Sequence, residues 1–375
     1  MSDNPSFVLN AIENVSYEER PIPDIGENDV LVKVMKTGIC GSDVHYLVHG
    51  RIGDFVVTNP MVLGHESAGI IYKVGSNVKN ISVGDRVAVE PGATCRTCEA
   101  CKSGRYELCP DIIFAATPPY DGTLCRYYKV PSDLAYPLPE GVSLEDGAMI
   151  EPLAVGVHSV ANLGGFRSGQ SIIVFGCGPV GLLCIAVAKA LGAARIIAVD
   201  IVQERLDFAK NYAATDVYLP PRFNPGETKI EYSKRNGDNL KAVLGITERG
   251  KNSLDLVIDA SGAEVSIQTG FQVAKSGGTV VQVGMGTPDV PINMSMLANK
   301  ELTYKGSFRY GPGDYPLAIS LVAQGKINLK PLVTHRFAFQ DALVAFNTTK
   351  AGKSADGKAL IKAVISGPDV SLEEN

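Results

Sequence analysis

Three short segments of the sequence carry side chains that could together bind a reactive metal ion. They contain Cys40, the adjacent pair His65 and Glu66, and Glu151. A thiolate, an imidazole and carboxylates form a mixed ligand set that suits zinc and can leave one position for water or substrate. Zinc in such a site would lower the pKa of an alcohol. Taken alone, each residue is better explained as a buried thiol, a loop histidine or a solvated carboxylate, so spacing by itself does not establish the site.

A separate cluster of four cysteines follows the pattern C-x2-C-x2-C-x7-C. Four thiolates complete the tetrahedral coordination of Zn²⁺ and leave no open position, so we predict a structural zinc that takes no part in chemistry. The alternative is an iron–sulfur cluster, but the ferredoxin pattern has a shorter last gap of three residues. The four residues are Cys95, Cys98, Cys101 and Cys109.

A glycine-rich turn between a predicted strand and a predicted helix indicates a dinucleotide site. Its residues are Gly176, Cys177, Gly178, Pro179, Val180 and Gly181. The glycines of a G-x-G-x-x-G pattern permit a tight turn, close approach of a pyrophosphate and close packing of helix on strand. The alternative is a turn that packs a helix on a sheet without binding a ligand.

Asp200 ends the next predicted strand, 19 residues after Gly181 (200 − 181). A carboxylate there would bind the ribose hydroxyls and repel a 2′-phosphate, so NAD is favoured over NADP. Arg205 could lie over the adenine or contact the ribose edge. A nicotinamide beside the alcohol would accept a hydride from its carbon.

The elements that must position these residues change character near residue 151. Before it, short strands separated by turns predict a mostly β domain of barrel type. After it, strands alternate with helices, which predicts a doubly wound parallel sheet. We interpret 220–252 as a surface excursion that contains one helix, and the tail from Gly367 as loose. The predicted elements are strands at Val30–Val34, Gly69–Val74, Asp85–Val89, Ser171–Phe175, Arg195–Val199, Leu254–Ile258 and Thr279–Val283, and helices at Val180–Leu191 and Gln203–Tyr212.

The composition excludes several classes of function. The chain has 375 residues, 45% hydrophobic and 20% charged, which is typical of a globular protein of about two domains. A net charge of −5 disfavours binding to nucleic acid or to an anionic membrane. No signal peptide is evident, and the apolar stretch Val180–Ala190 is too short to span a bilayer. We therefore expect a cytoplasmic protein whose cysteines are metal ligands or buried thiols rather than disulfides.

Several motifs together resemble the zinc-dependent medium-chain alcohol dehydrogenases. They are the segments Gly64–Gly69 and Val83–Val87, the four cysteines and the glycine-rich turn, and the resemblance extends over essentially the whole chain. Finer motifs resemble the polyol branch of the family, the sorbitol and xylitol dehydrogenases. With the four cysteines, the chain is most similar to microbial xylitol dehydrogenases (D-xylulose reductases). The finer motifs are His49–Phe55, Ala116–Pro119, Glu151–Leu153 and Gly306–Tyr310.

The resemblance implies roles for individual residues. Cys40, His65 and Glu66 would bind the catalytic zinc, and Glu151 would contact it directly or through its water. Ser42 would take the proton of the alcohol, and His45 would pass it to solvent by way of the ribose. The implied polyol contacts are Tyr46, Phe114, Thr117, Arg309 and Tyr310, of which Tyr46, Phe114 and Tyr310 are equally consistent with core packing. Further cofactor contacts are expected from Ile201, Val283, Gly284, Ser307 and Arg309.

The resemblance also implies a fold and an activity. The implied fold is α/β, with a GroES-like β-barrel catalytic domain at 1–155 and 292–375, a structural-zinc lobe at about 90–112, and a Rossmann NAD-binding domain at 156–291. The implied enzyme is a homo-oligomer, dimer or tetramer, with one catalytic and one structural zinc per chain. It would use NAD to oxidise a secondary alcohol of a polyol, foremost xylitol to D-xylulose.

Other activities stay open at this point. Sorbitol 2-dehydrogenase and L-arabinitol 4-dehydrogenase activities differ from xylitol dehydrogenase activity only in the pocket that selects the polyol. A non-catalytic dinucleotide-binding protein with a silent metal site, or a zinc-free quinone or enoyl reductase, would use the same fold without the same chemistry.

Overall fold

Two compact units make up the chain in the computed structural model, which describes residues 3–374. The first unit comprises the residues up to Glu151 and those from Gly311 onward, and the second runs from Pro152 to Tyr310. The second unit extends beyond the expected residue 291, because strand Thr303–Gly306 pairs with its sheet. Within residues 3–374, no helix combines the length and apolarity needed to cross a membrane.

The first unit consists mainly of strands. They are β1 (Asn4–Ala11), β2 (Asn14–Arg20), β3 (Asp29–Gly38), β4 (Arg51–Ile52), β5 (Phe55–Val56), β6 (Met61–Val62), β7 (Glu66–Val74), β8 (Arg86–Val89), β9 (Gly92–Ala93), β10 (Ile113–Phe114), β11 (Tyr127–Pro131), β12 (Ala135–Pro137), β19 (Val333–Phe337) and β20 (Lys362–Ser366). Its helices are α1 (Gly41–His49), α2 (Glu99–Lys102), α3 (Leu144–Ala148), α10 (Asp314–Ala323) and α11 (Ala342–Ala351), and α4 (Ile150–Val157) contains the boundary. Short 3-10 turns lie at Tyr106–Leu108, Ser132–Leu134, Lys330–Leu332 and Phe339–Asp341.

A seven-stranded sheet dominates this unit, in the order β12-β8-β7-β3-β20-β19, with β11 also paired to β3. Both β7 and β20 run antiparallel to β3, which places Glu66 and Val364 opposite Gly38. The end of β3 and the starts of β7 and β20 therefore meet at one edge of the sheet.

The second unit is a parallel sheet covered by helices. Its strands are β13 (Ser171–Phe175), β14 (Arg195–Val199), β15 (Asp216–Tyr218), β16 (Leu254–Asp259), β17 (Ala274–Gln282) and β18 (Thr303–Gly306). Its helices are α5 (Pro179–Ala190), α6 (Gln203–Tyr212), α7 (Lys229–Leu244), α8 (Glu264–Val273) and α9 (Met294–Asn299), with a π-helical turn at His158–Leu163. The strand order β15-β14-β13-β16-β17-β18 is the doubly wound Rossmann order, which confirms the predicted fold.

Two sequence-based expectations about peripheral segments were wrong in part. The helix expected within 220–252 is present as α7, but it buries one face that includes Leu240, so the segment belongs to the core rather than to a surface excursion. The C-terminal tail is docked rather than loose. The buried ammonium of Lys36 donates to the carbonyls of Ser371 and Leu372 at 3.3 and 3.2 Å, and Val370 is buried.

Candidate active site

The predicted ligands Cys40, His65 and Glu66 meet at one edge of the first unit's sheet. Cys40 caps the start of α1 just after β3, and His65 and Glu66 stand where β7 begins. One donor atom from each, a sulfur, a ring nitrogen and a carboxylate oxygen, lies within 4.8 Å of the other two. Gly38 permits this approach, because a Cβ there would lie 2.3 Å from Oε2 of Glu66.

Asp43 orients this ligand set, although the sequence analysis did not identify it. It lies in the first turn of α1, fully buried, where Oδ1 accepts the N–H of Gly64 at 3.1 Å and lies 3.3 Å from Nδ1 of His65. A carboxylate at Nδ1 fixes the imidazole and leaves Nε2 for a metal. Burial alone would lower the pKa of His65, but the charge of Asp43 and hydrogen bonds with Asp43 and Cys40 raise it well above its usual value. The available signal was an acidic residue three positions after the helix cap.

Lys362 is the second residue that the sequence analysis missed. At the start of β20, its ammonium donates to Oε1 of Glu66 at 2.5 Å and to the carbonyl of Ile39 at 3.0 Å. Burial alone would lower the pKa of Lys362, but the charges of Glu66, Cys40 and Glu151 outweigh burial and raise it. No local pattern marks this lysine, because its partner is set by the pairing of β20 with β3.

The chemistry of the donor set fits a zinc ion with an open position. Cys40, His65 and Glu66 supply sulfur, nitrogen and oxygen, and three protein ligands are typical of catalytic zinc sites. Glu151 lies outside the group whose donor atoms are all within 4.8 Å, but it is near enough for its charge to act on Lys362. A ligand role for Glu151 stays a prediction.

The predicted proton-relay residues lie on α1. Ser42 is half-buried in its first turn, and His45, three residues later, is exposed. The ring of His49 lies 5.4 Å from that of His45. A spacing of three residues places Ser42 and His45 on the same face of the helix.

The predicted polyol-contacting residues differ in their surroundings. The Phe114 ring is buried, and its centroid lies 5.9 Å from that of the His65 ring. The N–H of Thr117 donates to the carbonyl of Phe114 at 3.1 Å. Tyr46 lies in the core cluster of the first unit, which agrees with its packing interpretation. Tyr310 is buried in the second unit. Phe114 thus packs beside one of the predicted metal ligands.

The four predicted cysteine ligands form a second, self-contained centre. All four sulfurs lie within 4.8 Å of one another, and those of Cys95 and Cys101 are 4.0 Å apart. Tetrahedral zinc with Zn–S bonds of about 2.3 Å requires sulfurs about 3.8 Å apart, so the cluster fits one ion. The N–H groups of Cys95, Cys98 and Cys101 donate to the sulfurs of Cys109, Cys95 and Cys98 at 3.4, 3.3 and 3.5 Å. Among residues 3–374, these two centres are the groups of three or more clustered metal-ligand side chains.

The glycine-rich turn has the geometry that its sequence predicts. Gly176 has a φ of +92°, and a Cβ at Gly181 would lie 1.8 Å from the Gly176 carbonyl oxygen. Gly178 is the N-cap of α5, with Pro179 and Val180 opening the helix, and a Cβ at Gly178 would meet nothing within 4 Å. The turn therefore leaves space beside a helix N-terminus, where backbone N–H groups favour phosphate.

Asp200 follows β14 and is fixed by the backbone around it. Its Oδ2 accepts the N–H of Cys177 at 2.8 Å, and Oδ1 accepts that of Val202 at 3.0 Å. Arg205 approaches Oδ2 at 3.9 Å, and Ile201 is exposed. The carboxylate is thus held at the end of the strand where an adenosine ribose is bound in this fold.

The other predicted cofactor residues of the second unit follow β17 and β18. The N–H groups of Val283 and Gly284 both donate to the Asp259 carbonyl at 2.8 Å. Ser307 directly follows β18, and Arg309 has a φ of +56°. This conformation is uncommon for a residue other than glycine, and such strain is concentrated at functional sites.

Comparison with known families matches both units. The family model described as the alcohol dehydrogenase GroES-like domain matches residues 26–140, and that described as zinc-binding dehydrogenase matches residues 179–324.

Curated relatives match nearly the whole chain. The protein named "Probable D-xylulose reductase A" from Neosartorya fischeri is 54% identical over 367 residues, which cover 98% of this chain and 97% of the relative. D-xylulose reductase A from Aspergillus niger is 52% identical over 369 residues, which cover 98% of each.

Solved structures show the same architecture. L-idonate 5-dehydrogenase from Escherichia coli has a TM-score of 0.83 at 30% identity and covers 97% of this chain and 98% of its own. An E. coli alcohol dehydrogenase solved with NADH has a TM-score of 0.84 at 27% identity and covers 97% of this chain and 99% of its own.

Proposed function

Because this chain belongs to the zinc-dependent medium-chain alcohol dehydrogenases, we propose that it is an NAD-dependent xylitol dehydrogenase, which oxidises xylitol to D-xylulose and catalyses the reverse reduction. The observation that carries the proposal is that this chain is 54% and 52% identical, over nearly its whole length, to proteins named as D-xylulose reductases. The clustered Cys40, His65 and Glu66 support it, because a zinc-free reductase or a non-catalytic dinucleotide-binding protein does not require such a set.

Cys40, His65 and Glu66, with Glu151 nearby, hold the catalytic zinc in this proposal, and the four-cysteine lobe holds the structural zinc. When bound, the catalytic zinc supplies the Lewis acidity that lowers the pKa of the alcohol. Asp43 holds the His65 ring in place through Nδ1. Phe114, packed beside His65, covers the site with an apolar ring that excludes water.

Ser42 and His45 carry the proton away from the reacting hydroxyl. Ser42 accepts the proton at its Oγ as it gives up its own hydroxyl proton, and His45 passes that proton to solvent. The same-face spacing on α1 and the exposed ring of His45 support this path, because a proton acceptor in contact with water can release its proton to bulk solvent.

The second unit binds NAD, which supplies the hydride acceptor when bound. The turn from Gly176 to Gly181 receives the pyrophosphate at the N-terminus of α5, and Asp200 accepts hydrogen bonds from the ribose hydroxyls. The half-buried Arg309 and Thr117 bind polyol hydroxyls, and a site with such hydrogen-bonding groups discriminates against substrates that lack the hydroxyls. We further propose that the enzyme is a cytoplasmic homo-oligomer.

The test is a panel of xylitol, sorbitol, L-arabinitol and ribitol, each with NAD and with NADP, followed by NADH or NADPH absorbance. We expect kcat/KM to be highest for xylitol with NAD, by about tenfold over the next polyol. A higher value for sorbitol or L-arabinitol would transfer the assignment to that polyol. Absence of turnover with every polyol by zinc-replete protein would overturn the proposal.

A further inference from the structure

One proposed zinc ligand, Glu66, also belongs to a buried ion pair, and its partner Lys362 has no role in the chemistry described above. Both oxygens of the Glu66 carboxylate contact the ammonium of Lys362, and the two side chains are 1% and 3% exposed. We propose that Lys362 is a positioning residue that competes with the metal for the Glu66 carboxylate and so keeps the zinc centre open to substrate. This inference rests on the proposed function, since it takes Cys40, His65 and Glu66 as the zinc ligands.

The geometry gives Glu66 two competing partners. Lys362 is held in place by its hydrogen bond to the Ile39 carbonyl at 3.0 Å, so its ammonium stays beside Glu66. Apart from its contact with the same ammonium, Oε2 of Glu66 has no hydrogen-bond partner among residues 3–374. A carboxylate shared in this way donates less charge to a metal than one whose oxygens are both available.

The charge of Lys362 also weakens zinc binding. The charges of Glu66, Cys40 and Glu151 act on the buried ammonium of Lys362, and a zinc ion would bring two further positive charges to the site. Repulsion between the ammonium and the ion is strong in a buried site. Because Lys362 both repels the ion and occupies Glu66, removing its charge should tighten metal binding. Full coordination by Glu66 would then close the position that substrate needs.

The experiment measures zinc release to an excess of a chromophoric chelator, followed by absorbance. Zinc release from the two centres should give two kinetic phases. The phase that is present in the wild type and missing in Cys40→Ser belongs to the catalytic centre. We expect Lys362→Met to slow this phase by about tenfold, and Lys362→Arg, which keeps the charge, to stay within about threefold of the wild type. The matched control is Lys36→Met, which removes another buried ammonium, one bonded to Ser366 and to carbonyl groups.

The outcomes separate this inference from the proposed function. Equal or faster zinc release by folded Lys362→Met would overturn the role of Lys362 while the zinc assignment stands. If the methionine variant does not fold, Lys362→Gln is neutral at similar length and carries the same expectation. A Glu66→Gln background should reduce the effect of Lys362→Met, because the contested carboxylate is gone. Absence of the catalytic phase in the wild type would overturn the zinc assignment itself.

Discussion

The two candidate metal centres of the first unit are assembled in opposite ways. The cysteine lobe takes all its ligands from one short segment, whose own N–H groups donate to the sulfurs. The Cys40 centre takes ligands from the ends of β3 and β7, and Lys362 comes from a third strand, β20. Local chain geometry thus sets the lobe, whereas the register of the sheet sets the Cys40 centre.

This difference separates stability from chemistry. We expect the ion to stabilise the lobe, because it would join four ligands from one short segment. The Cys40 centre stands on strands that are already paired, so its scaffold should persist when a ligand is removed. Substitutions at the two centres should therefore affect different measurements.

The largest effect is expected from Cys40→Ser, which removes one of the proposed catalytic zinc ligands without disturbing the sheet. We expect kcat/KM to fall by at least about 10³-fold, while one zinc per chain and NAD binding remain. Elemental analysis and NADH fluorescence titration measure these quantities. The matched control is Cys125→Ser, a buried thiol that donates to the Tyr127 carbonyl at 3.3 Å. Wild-type activity in Cys40→Ser would contradict the assigned mechanism.

The second prediction concerns Cys101→Ser, which removes one of the four ligands of the lobe. We expect the free energy of unfolding to fall by about 3 kcal/mol, while kcat/KM of the folded protein stays within about fivefold. Urea denaturation with and without added zinc measures the loss. Glu99→Gln, an exposed change on α2, is the control. A Cys101→Ser protein that is as stable as the wild type but inactive would reverse the comparison.

The smallest effect concerns Glu90, where the lobe joins the sheet. Tyr106, from the lobe, and Tyr136, from β12, donate hydrogen bonds to its two oxygens at 2.6 and 2.8 Å. Burial raises the pKa of Glu90 from its ordinary 4.5 to about 7. The folded state therefore binds more protons than the unfolded state between these values. The stability that Glu90 contributes is complete below pH 4.5 and is lost as the pH rises through 7.

Glu90→Gln should remove this dependence on pH. Between pH 5 and pH 8 we expect the variant to gain about 2 kcal/mol of stability relative to the wild type, because an amide has no charge to desolvate. Thermal or urea denaturation at both pH values measures the difference, with Glu99→Gln again as the exposed control. A difference in stability between Glu90→Gln and the wild type that does not vary with pH would refute the raised pKa of Glu90.

Local patterns predicted a large part of the fold. The strands Ser171–Phe175 and Arg195–Val199 and the helix Gln203–Tyr212 have the bounds expected from the sequence. The bounds of these elements follow from short-range hydrophobic periodicity and from the glycines beside them. Both can be read directly from a single sequence. The cysteine lobe was equally predictable, because its ligand spacing lies within one segment.

Features set by long-range pairing could not be predicted from local patterns. Lys362 and Lys36 look like ordinary lysines in the sequence, and only the register around β3 places them in the interior with their acceptors. The docked tail escaped prediction for the same reason. Asp43 was nearer to prediction, because it stands in a capping position, but its contact with His65 depends on the pairing of β3 with β7.

The pairing of β20 with β3 also orders events during synthesis. Lys362 leaves the ribosome 296 residues after its partner Glu66, whereas the cysteine lobe is complete as soon as Cys109 has emerged. A nascent chain can therefore load zinc into the lobe early, while the other centre still lacks its lysine. The counter-charge arrives only when β20 docks, so the proposed catalytic centre acquires its final electrostatics long after the ligands of the lobe are complete.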